Sequence, residues 1–251
     1  QLSEYLSNQS GDAAPVQHDG PYINCNDLFK IYKRADLEVV ALRGLDLTVE
    51  PGALIAIIGA SGSGKSTLLN ILAGLDRPSA GQVMVGSRDL LDVSDNDLVM
   101  YRRYEVGFVW QATARNLVPY LTVADNIELP MALTGQPAKA RRAWSSELLE
   151  SLGIADKAKR LPYELSGGEL QRVAIARAFS SDPDLIVCDE PVSSLDVSIQ
   201  AGVLNLLVEL QQKNKVSFVF ISHDLNVVRH VSNRIAVMYN GRICEMGTPS
   251  E

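Results

Sequence analysis

An α/β fold with a parallel sheet at its centre is predicted by three short apolar runs, residues 53–58, 185–188 and 216–221. Each is too continuous for a strand with one wet face and reads as a strand buried on both sides. Each also leads into a stretch with helical character, over residues 64–73, 197–212 and 225–231, and such alternation of strand and helix builds a parallel sheet. A third observation places an addition in this core: residues 112–180 show helical spacing and no good strand, which predicts an inserted helical subdomain.

The elements follow in order. Residues 1–20 are rich in Ser, Gln, Asn, Gly and Asp without a sustained period, so a flexible leader or linker is expected, with folding beginning near Pro21. Residues 22–32 and 39–49 read as two strands of an N-terminal antiparallel β subdomain, the second ending at the turn Glu50-Pro51-Gly52. Near the end, residues 235–239 and 242–246 flank Asn240-Gly241, a strong two-residue hairpin signal. The expected organisation is therefore a leader over 1–20 and one domain over 21–251, with the helical insertion at about 112–180 inside it.

Composition removes several function classes. Lys and Arg number 23 against 30 Asp and Glu, a net charge of −7, and no segment concentrates the basic residues, so a nucleic-acid partner is not expected. The longest apolar run falls far short of the roughly 20 residues that span a bilayer. Membrane contact is expected only through partners. No basic segment followed by an apolar one opens the sequence, so no signal peptide is expected. The three cysteines, Cys25, Cys188 and Cys244, are odd in number and widely spaced, which fits neither a disulfide framework nor a zinc site and points to a reducing compartment. Cys188, inside an apolar run, reads as a small buried hydrophobe.

Chemistry concentrates after the buried strands. The first runs into Gly59-Ala60-Ser61-Gly62-Ser63-Gly64-Lys65-Ser66, which matches the phosphate-binding loop G-x-x-x-x-G-K-[ST] between a strand and a helix and predicts a P-loop NTPase core. Glycines allow backbone N–H groups to converge on phosphate oxygens, and the helix that follows adds its positive end. Gly59, Ser61, Gly62, Ser63, Gly64 and Thr67 are accordingly assigned to the nucleotide, with Lys65 on the β- and γ-phosphates and Ser66 on Mg²⁺. The second buried strand ends in Asp189-Glu190. Adjacent strand residues point to opposite sides, so Asp189 is expected to hold Mg²⁺ through its water shell and Glu190 to polarise the attacking water.

Leu165-Ser166-Gly167-Gly168-Glu169 resembles the signature motif of ABC (ATP-binding cassette) ATPases, and together with the loop it marks the chain from Pro21 onward as similar to that family. The resemblance extends in order to Tyr32, similar to the aromatic that stacks on adenine; to Gln111, similar to the Q-loop glutamine that serves catalysis and Mg²⁺; to Ser194-Leu195-Asp196, similar to the D-loop; and to His223, similar to the switch histidine. It implies ATP and Mg²⁺ as ligands and ATP hydrolysis coupled to transport. It also implies a head-to-tail dimer with a second ABC ATPase subunit, identical or not, in which ATP sits between the phosphate loop of one subunit and the Ser166, Gly167 and Gly168 of the other, near Asp196. Transmembrane permease subunits and a peripheral position on the cytoplasmic face of the cell membrane complete what it implies. Physically, Ser166 is suited to cap a helix beginning at Gly167, so that its hydroxyl, the glycine amides and the dipole form an anion site.

Two likenesses within the family divide the chain. Residues 104–135 resemble lipoprotein-releasing and macrolide-exporter ATPases, while residues 189–225 are similar to oligopeptide and dipeptide importers. The alternative, a non-transport ABC ATPase of translation or DNA repair, predicts either two cassettes with a charged linker or very long heptad segments between loop and signature. Here there is one loop and one signature, and 101 residues separate Lys65 from Ser166. Finally, residues 116–126 are expected either to line a groove for a cytoplasmic helix of the membrane partner or to pack the insertion's own core, through Leu117, Val118, Leu121 and Val123.

Overall fold

The computed structural model describes residues 20–34, 37–112, 116–193 and 195–249. The expected leader, apart from Gly20, and Ser194 of the D-loop likeness lie outside the described residues. In chain order the strands are β1 (Ile23–Arg34), β2 (Leu37–Val49), β3 (Leu54–Ile58), β4 (Ala80–Val85), β5 (Arg88–Asp89), β6 (Val106–Val109), β7 (Leu185–Asp189), β8 (Ser217–Ile221), β9 (Arg234–Tyr239) and β10 (Arg242–Gly247). The helices are α1 (Lys65–Leu72), α2 (Asp95–Tyr104), α3 (Val123–Leu133), α4 (Ala138–Ser151), α5 (Gly167–Phe179), α6 (Val197–Asn214) and α7 (Leu225–Val231).

The strands make two sheets. An antiparallel one has the order β2-β1-β4-β5, and a six-stranded one the order β10-β9-β3-β8-β7-β6. In the second, β6, β7, β8, β3 and β9 run parallel and β10 returns antiparallel from β9. The central strands are buried on both sides because their sequences are nearly all apolar: every residue of β8 is buried, Ser217 included, as are the first four of β3 and of β7. Their side chains alternate between two cores. Ile55, Ile57, Val187, Val219 and Ile221 pack with α1 and the antiparallel sheet, while Leu54, Ile186, Cys188, Phe218 and Phe220 pack with α3, α5 and α6. Each such aliphatic side chain stabilises by about 1.5–3 kcal/mol when fully removed from water.

The three buried strands, the antiparallel flap and the Asn240-Gly241 hairpin agree with the sequence reading. Four strands go beyond it, among them the two-residue β5. β6 is only four residues long, too short for alternation to register; β4 hides one alternation, Val83 and Val85, behind Ala80-Gly81; and β9, expected only as a hairpin arm, also joins the parallel sheet beside β3. Between β6 and β7 the described residues contain α3, α4, α5 and two 3-10 turns, Ala155–Lys157 and Pro162–Glu164. No helix among the described residues is long and apolar enough to cross a membrane. Because β3, β6, β7 and β8 are parallel, Gly59, Gln111, Asp189-Glu190 and His223 all follow carboxyl ends at one edge of the sheet, where open α/β sheets receive ligands.

Candidate nucleotide-binding and hydrolysis site

At that edge lies an open cavity of about 500 Å³. Its wall includes Gly59, Ser61, Gly62, Gly64, Lys65, Ser66, Thr67, Gln111, Asp189, Glu190 and His223, so eleven of the residues singled out from sequence converge there. The loop explains itself physically. Gly59, Gly62 and Gly64 have φ of 154°, 77° and 104°, a region that side chains rarely adopt. A Cβ on Gly59 would stand 2.1 Å from the Met238 carbonyl oxygen and one on Gly64 2.7 Å from that of Ala41, whereas a Cβ on Gly62 would meet nothing within 4 Å. Lys65 Nζ donates to the carbonyls of Gly59 at 2.8 Å and Ala60 at 2.9 Å, arching over the loop.

The acidic pair faces the loop. Ser66 Oγ lies 3.3 Å from Asp189 Oδ2, joining the start of α1 to the end of β7. Burial raises the Asp189 carboxyl above its ordinary range, the Glu190 charge adds to the rise, and the Ser66 hydrogen bond and the Lys65 charge oppose it. Glu190 is held by two neighbours: Gln111 Nε2 donates to Oε2 at 3.0 Å and His223 Nδ1 lies 3.1 Å from Oε1. Strand alternation is not what separates the two carboxylates. β7 ends at Asp189, and Glu190 turns into the left-handed region at φ 46°, pinned by its N–H on the Ile221 carbonyl at 3.0 Å and by Ser193, whose N–H and hydroxyl both donate to the Glu190 carbonyl. A hydroxyl and a carboxylate are the hard oxygen donors that suit Mg²⁺, which takes few protein ligands beside substrate phosphates and water. No cluster of three or more His, Cys, Asp or Glu side chains that could cage a metal occurs among the described residues.

Other predicted residues lie elsewhere. Ser63 is buried behind the loop, its carbonyl accepting from Gly241 N–H at 2.9 Å. Tyr32 does not line the cavity, but it is the register partner of Val39, which does. The signature forms a separate surface. Ser166 caps α5, accepting from Glu169 N–H at 3.4 Å and donating to Glu169 Oε2 at 2.8 Å. Gly168 is packed: a Cβ there would stand 2.6 Å from Ile199 Cγ2, which brings α5 against α6, the helix capped by Asp196. Sequence reasoning missed Val39, Val40 and Ala41 as cavity walls, which only the position of β2 beside the loop reveals, and Ile221, the last residue of β8.

A second cavity of about 350 Å³ opens between α2, β6, α3 and α5, lined by Arg102, Arg103, Trp110, Asn116, Leu133 and Arg177 among others. Of residues 116–126 only Asn116 reaches it. Leu117 and Val123 are buried in the helical core and Val118 and Leu121 are half-buried, so packing accounts for the first pair. Cys188 and Cys25 are buried, burial pushing the Cys25 thiol up to about 12 and the Cys188 thiol higher still.

A strand–loop–helix phosphate cradle with an acidic pair opposite it defines a P-loop nucleoside-triphosphate hydrolase. The ABC transporter family profile matches residues 42–193, more than half of the chain. The chain is 39% identical over 228 residues to a methionine import ATP-binding protein, MetN 2, of Rhodococcus jostii, covering 91% of this chain and 66% of that protein. It is 43% identical over 208 residues to the macrolide export ATP-binding/permease protein MacB of Rhodopseudomonas palustris, covering 83% of this chain and 31% of that one. Among solved structures, the dimeric post-hydrolysis state of the ATP-binding cassette MJ0796 bound to ADP and Pi superposes with a TM-score of 0.82 at 34% identity, over 90% of this chain and 98% of that one. The chain belongs to the ABC transporter family and is one of its ATP-binding ATPase cassettes. It spans about two thirds of the length of the MetN relative and under a third of MacB.

Proposed function

We propose that this cassette is the ATP-hydrolysing motor of a membrane transporter, acting at the cytoplasmic face of the cell membrane on transmembrane permease subunits. The observation that carries the reading is the convergence of loop, acidic pair, Gln111 and His223 on one cavity. Loop N–H groups and Lys65 hold the phosphates, and Ser66, Asp189 and Gln111 would hold Mg²⁺. The cation, when bound, neutralises charge on the phosphate oxygens. Glu190 Oε accepts the proton of the attacking water, while Gln111 and His223 keep its carboxylate aimed. The hydrogen bond between Ser66 Oγ and Asp189 Oδ2 holds these two oxygen donors side by side, facing the loop.

Ser166, Gly167 and Gly168 with Asp196 serve a second subunit's ATP. None of them lines this chain's own cavity, which supports that reading, as does the dimeric state of the similar MJ0796 cassette. The second cavity receives a cytoplasmic helix of the permease, with Gln111 linking it to the γ-phosphate through the neighbouring Trp110. Methionine importers and a macrolide exporter are both among the relatives, so the motor reading is independent of cargo. The test is a cysteine at Leu133, which is 58% exposed beside that cavity, in the complex with its co-purified membrane protein. Cross-links to the permease that change with nucleotide are expected; cross-links confined to this chain would remove the docking role.

A further inference from the structure

Beside the cavity, the antiparallel flap carries a cluster that the motor reading leaves unused. Tyr32 Oη donates to Asp76 Oδ2 at 2.7 Å. Lys30 Nζ donates to Asp76 Oδ1 at 2.5 Å and to the Arg77 carbonyl at 2.8 Å, and it lies over the Tyr32 ring, 4.8 Å from the centroid. Asp76 is itself fixed, for its Oδ1 accepts the Arg77 N–H at 2.8 Å and its N–H reaches the Asn70 carbonyl at 3.2 Å. Thr67, on the cavity wall, bears on the Tyr32 hydroxyl and opposes the rise that burial gives its pKa. Tyr32 is nonetheless 39% exposed, and its register partner Val39 borders the cavity from the same face of the β1–β2 ribbon.

We infer that Asp76, assisted by Lys30, is a positioning residue that presets the Tyr32 ring for the base of the nucleotide. The inference rests on the reading of Tyr32 as the adenine platform. An aromatic ring on a hairpin turns about its χ angles, and its ordering on binding costs affinity. Here the hydroxyl is tied to the turn that follows α1, the same helix whose first turn carries Lys65, Ser66 and Thr67. The clamp on the ring and the phosphate cradle thus lie at opposite ends of one short helix. Lys30 lies over one face of the ring in a cation–π contact, so under this inference the base takes the opposite face. Burial pushes the Asp76 carboxyl up, but the hydrogen bonds from Lys30 and Tyr32 outweigh it and keep the group below its ordinary range, so the clamp is anionic at neutral pH.

The experiment compares dissociation constants of Mg-ATP and of inorganic tripolyphosphate, which has phosphates and no base, by titration calorimetry on the full chain. Tyr32→Ala is expected to weaken ATP about tenfold or more, from lost stacking. Asp76→Ala and Tyr32→Phe should each weaken it about three- to tenfold, from lost preorganisation. The double variant Tyr32→Phe/Asp76→Ala should be no weaker than Asp76→Ala alone. Asp76→Asn, which keeps an acceptor, should stay within about twofold of the parent. Tripolyphosphate should bind all variants alike. If Tyr32→Ala leaves ATP binding unchanged, the platform reading itself falls. If Tyr32→Ala weakens ATP while Asp76→Ala and Tyr32→Phe do not, the platform stands and the clamp is overturned. Equal weakening of tripolyphosphate by Asp76→Ala also overturns it, by showing that Asp76 acts on the loop and not on the base.

Discussion

At single residues the site combines backbone strain at Glu190 with burial of the Asp189 carboxyl. Glu190 adopts φ 46°, and a non-glycine residue there costs of order 1–3 kcal/mol, offset by the Ile221 and Ser193 hydrogen bonds that hold the turn. Asp189 carries a half-buried carboxyl whose proton affinity is raised by burial. Its folded pKa lies above the unfolded one, so its contribution to stability is largest below the ordinary carboxylate range and is lost as pH rises through the raised value. Asp189→Asn should therefore raise the melting temperature of the nucleotide-free protein near neutral pH, with a gain that shrinks in acid; thermal melts across that range check it. The same variant should lose Mg²⁺-dependent turnover. Lys65→Ala deletes the ammonium arched over the loop and should weaken ATP binding by at least about tenfold, the scale of a lost charge-assisted contact; an unchanged affinity in calorimetry would count against the loop geometry.

Among the elements, α3 and α5 owe their placement to contacts that a sequence reveals only in part. Asn126, fully buried, accepts from Val118 N–H and donates to the carbonyls of Val118, Leu121 and Thr122, closing the loop before α3 onto the helix. Asn126→Ala strips the Val118 N–H and the Leu121 carbonyl of these partners, while the Val118 and Thr122 carbonyls keep the N–H groups of Leu121 and residue 126, and it should cost about 3 kcal/mol in urea unfolding. Gly168→Ala forces a methyl against Ile199 and should cost about 1–3 kcal/mol, while Gly167→Ala, whose Cβ would stand 3.6 Å from Leu195, should unfold like the parent. The loop motif, the acidic dipeptide and three strands were legible because their physics is local: continuous apolar runs, glycines and a lysine at fixed spacing. β4, β6 and the parallel pairing of β9 were not, since four or six residues carry too little periodicity and the choice of neighbour is made by the sheet. The cavity walls Val39, Val40 and Ala41 were hidden for the same reason, as was Asp76, whose bond to Tyr32 spans 44 residues of sequence.

For the whole molecule, one parallel edge collects the groups proposed for hydrolysis and the signature-like residues lie apart at the start of α5, so a subunit holds two half-sites under the proposed arrangement. Glu190→Gln in the presence of ATP should run as a dimer in size-exclusion chromatography with light scattering and revert when ATP is withdrawn. The account stands or falls, however, on the chemistry at the edge itself. The direct measurement is phosphate release by the parent and by Glu190→Gln, with ATP binding recorded on the same preparations. Gln keeps the size and can still accept from Gln111 while turning its NH2 toward His223 Nδ1, but it cannot take a proton from water. The predicted result is Mg²⁺-dependent turnover in the parent, a fall of about 10²–10⁴ in the variant, and an unchanged dissociation constant for ATP. Turnover retained in Glu190→Gln would contradict it.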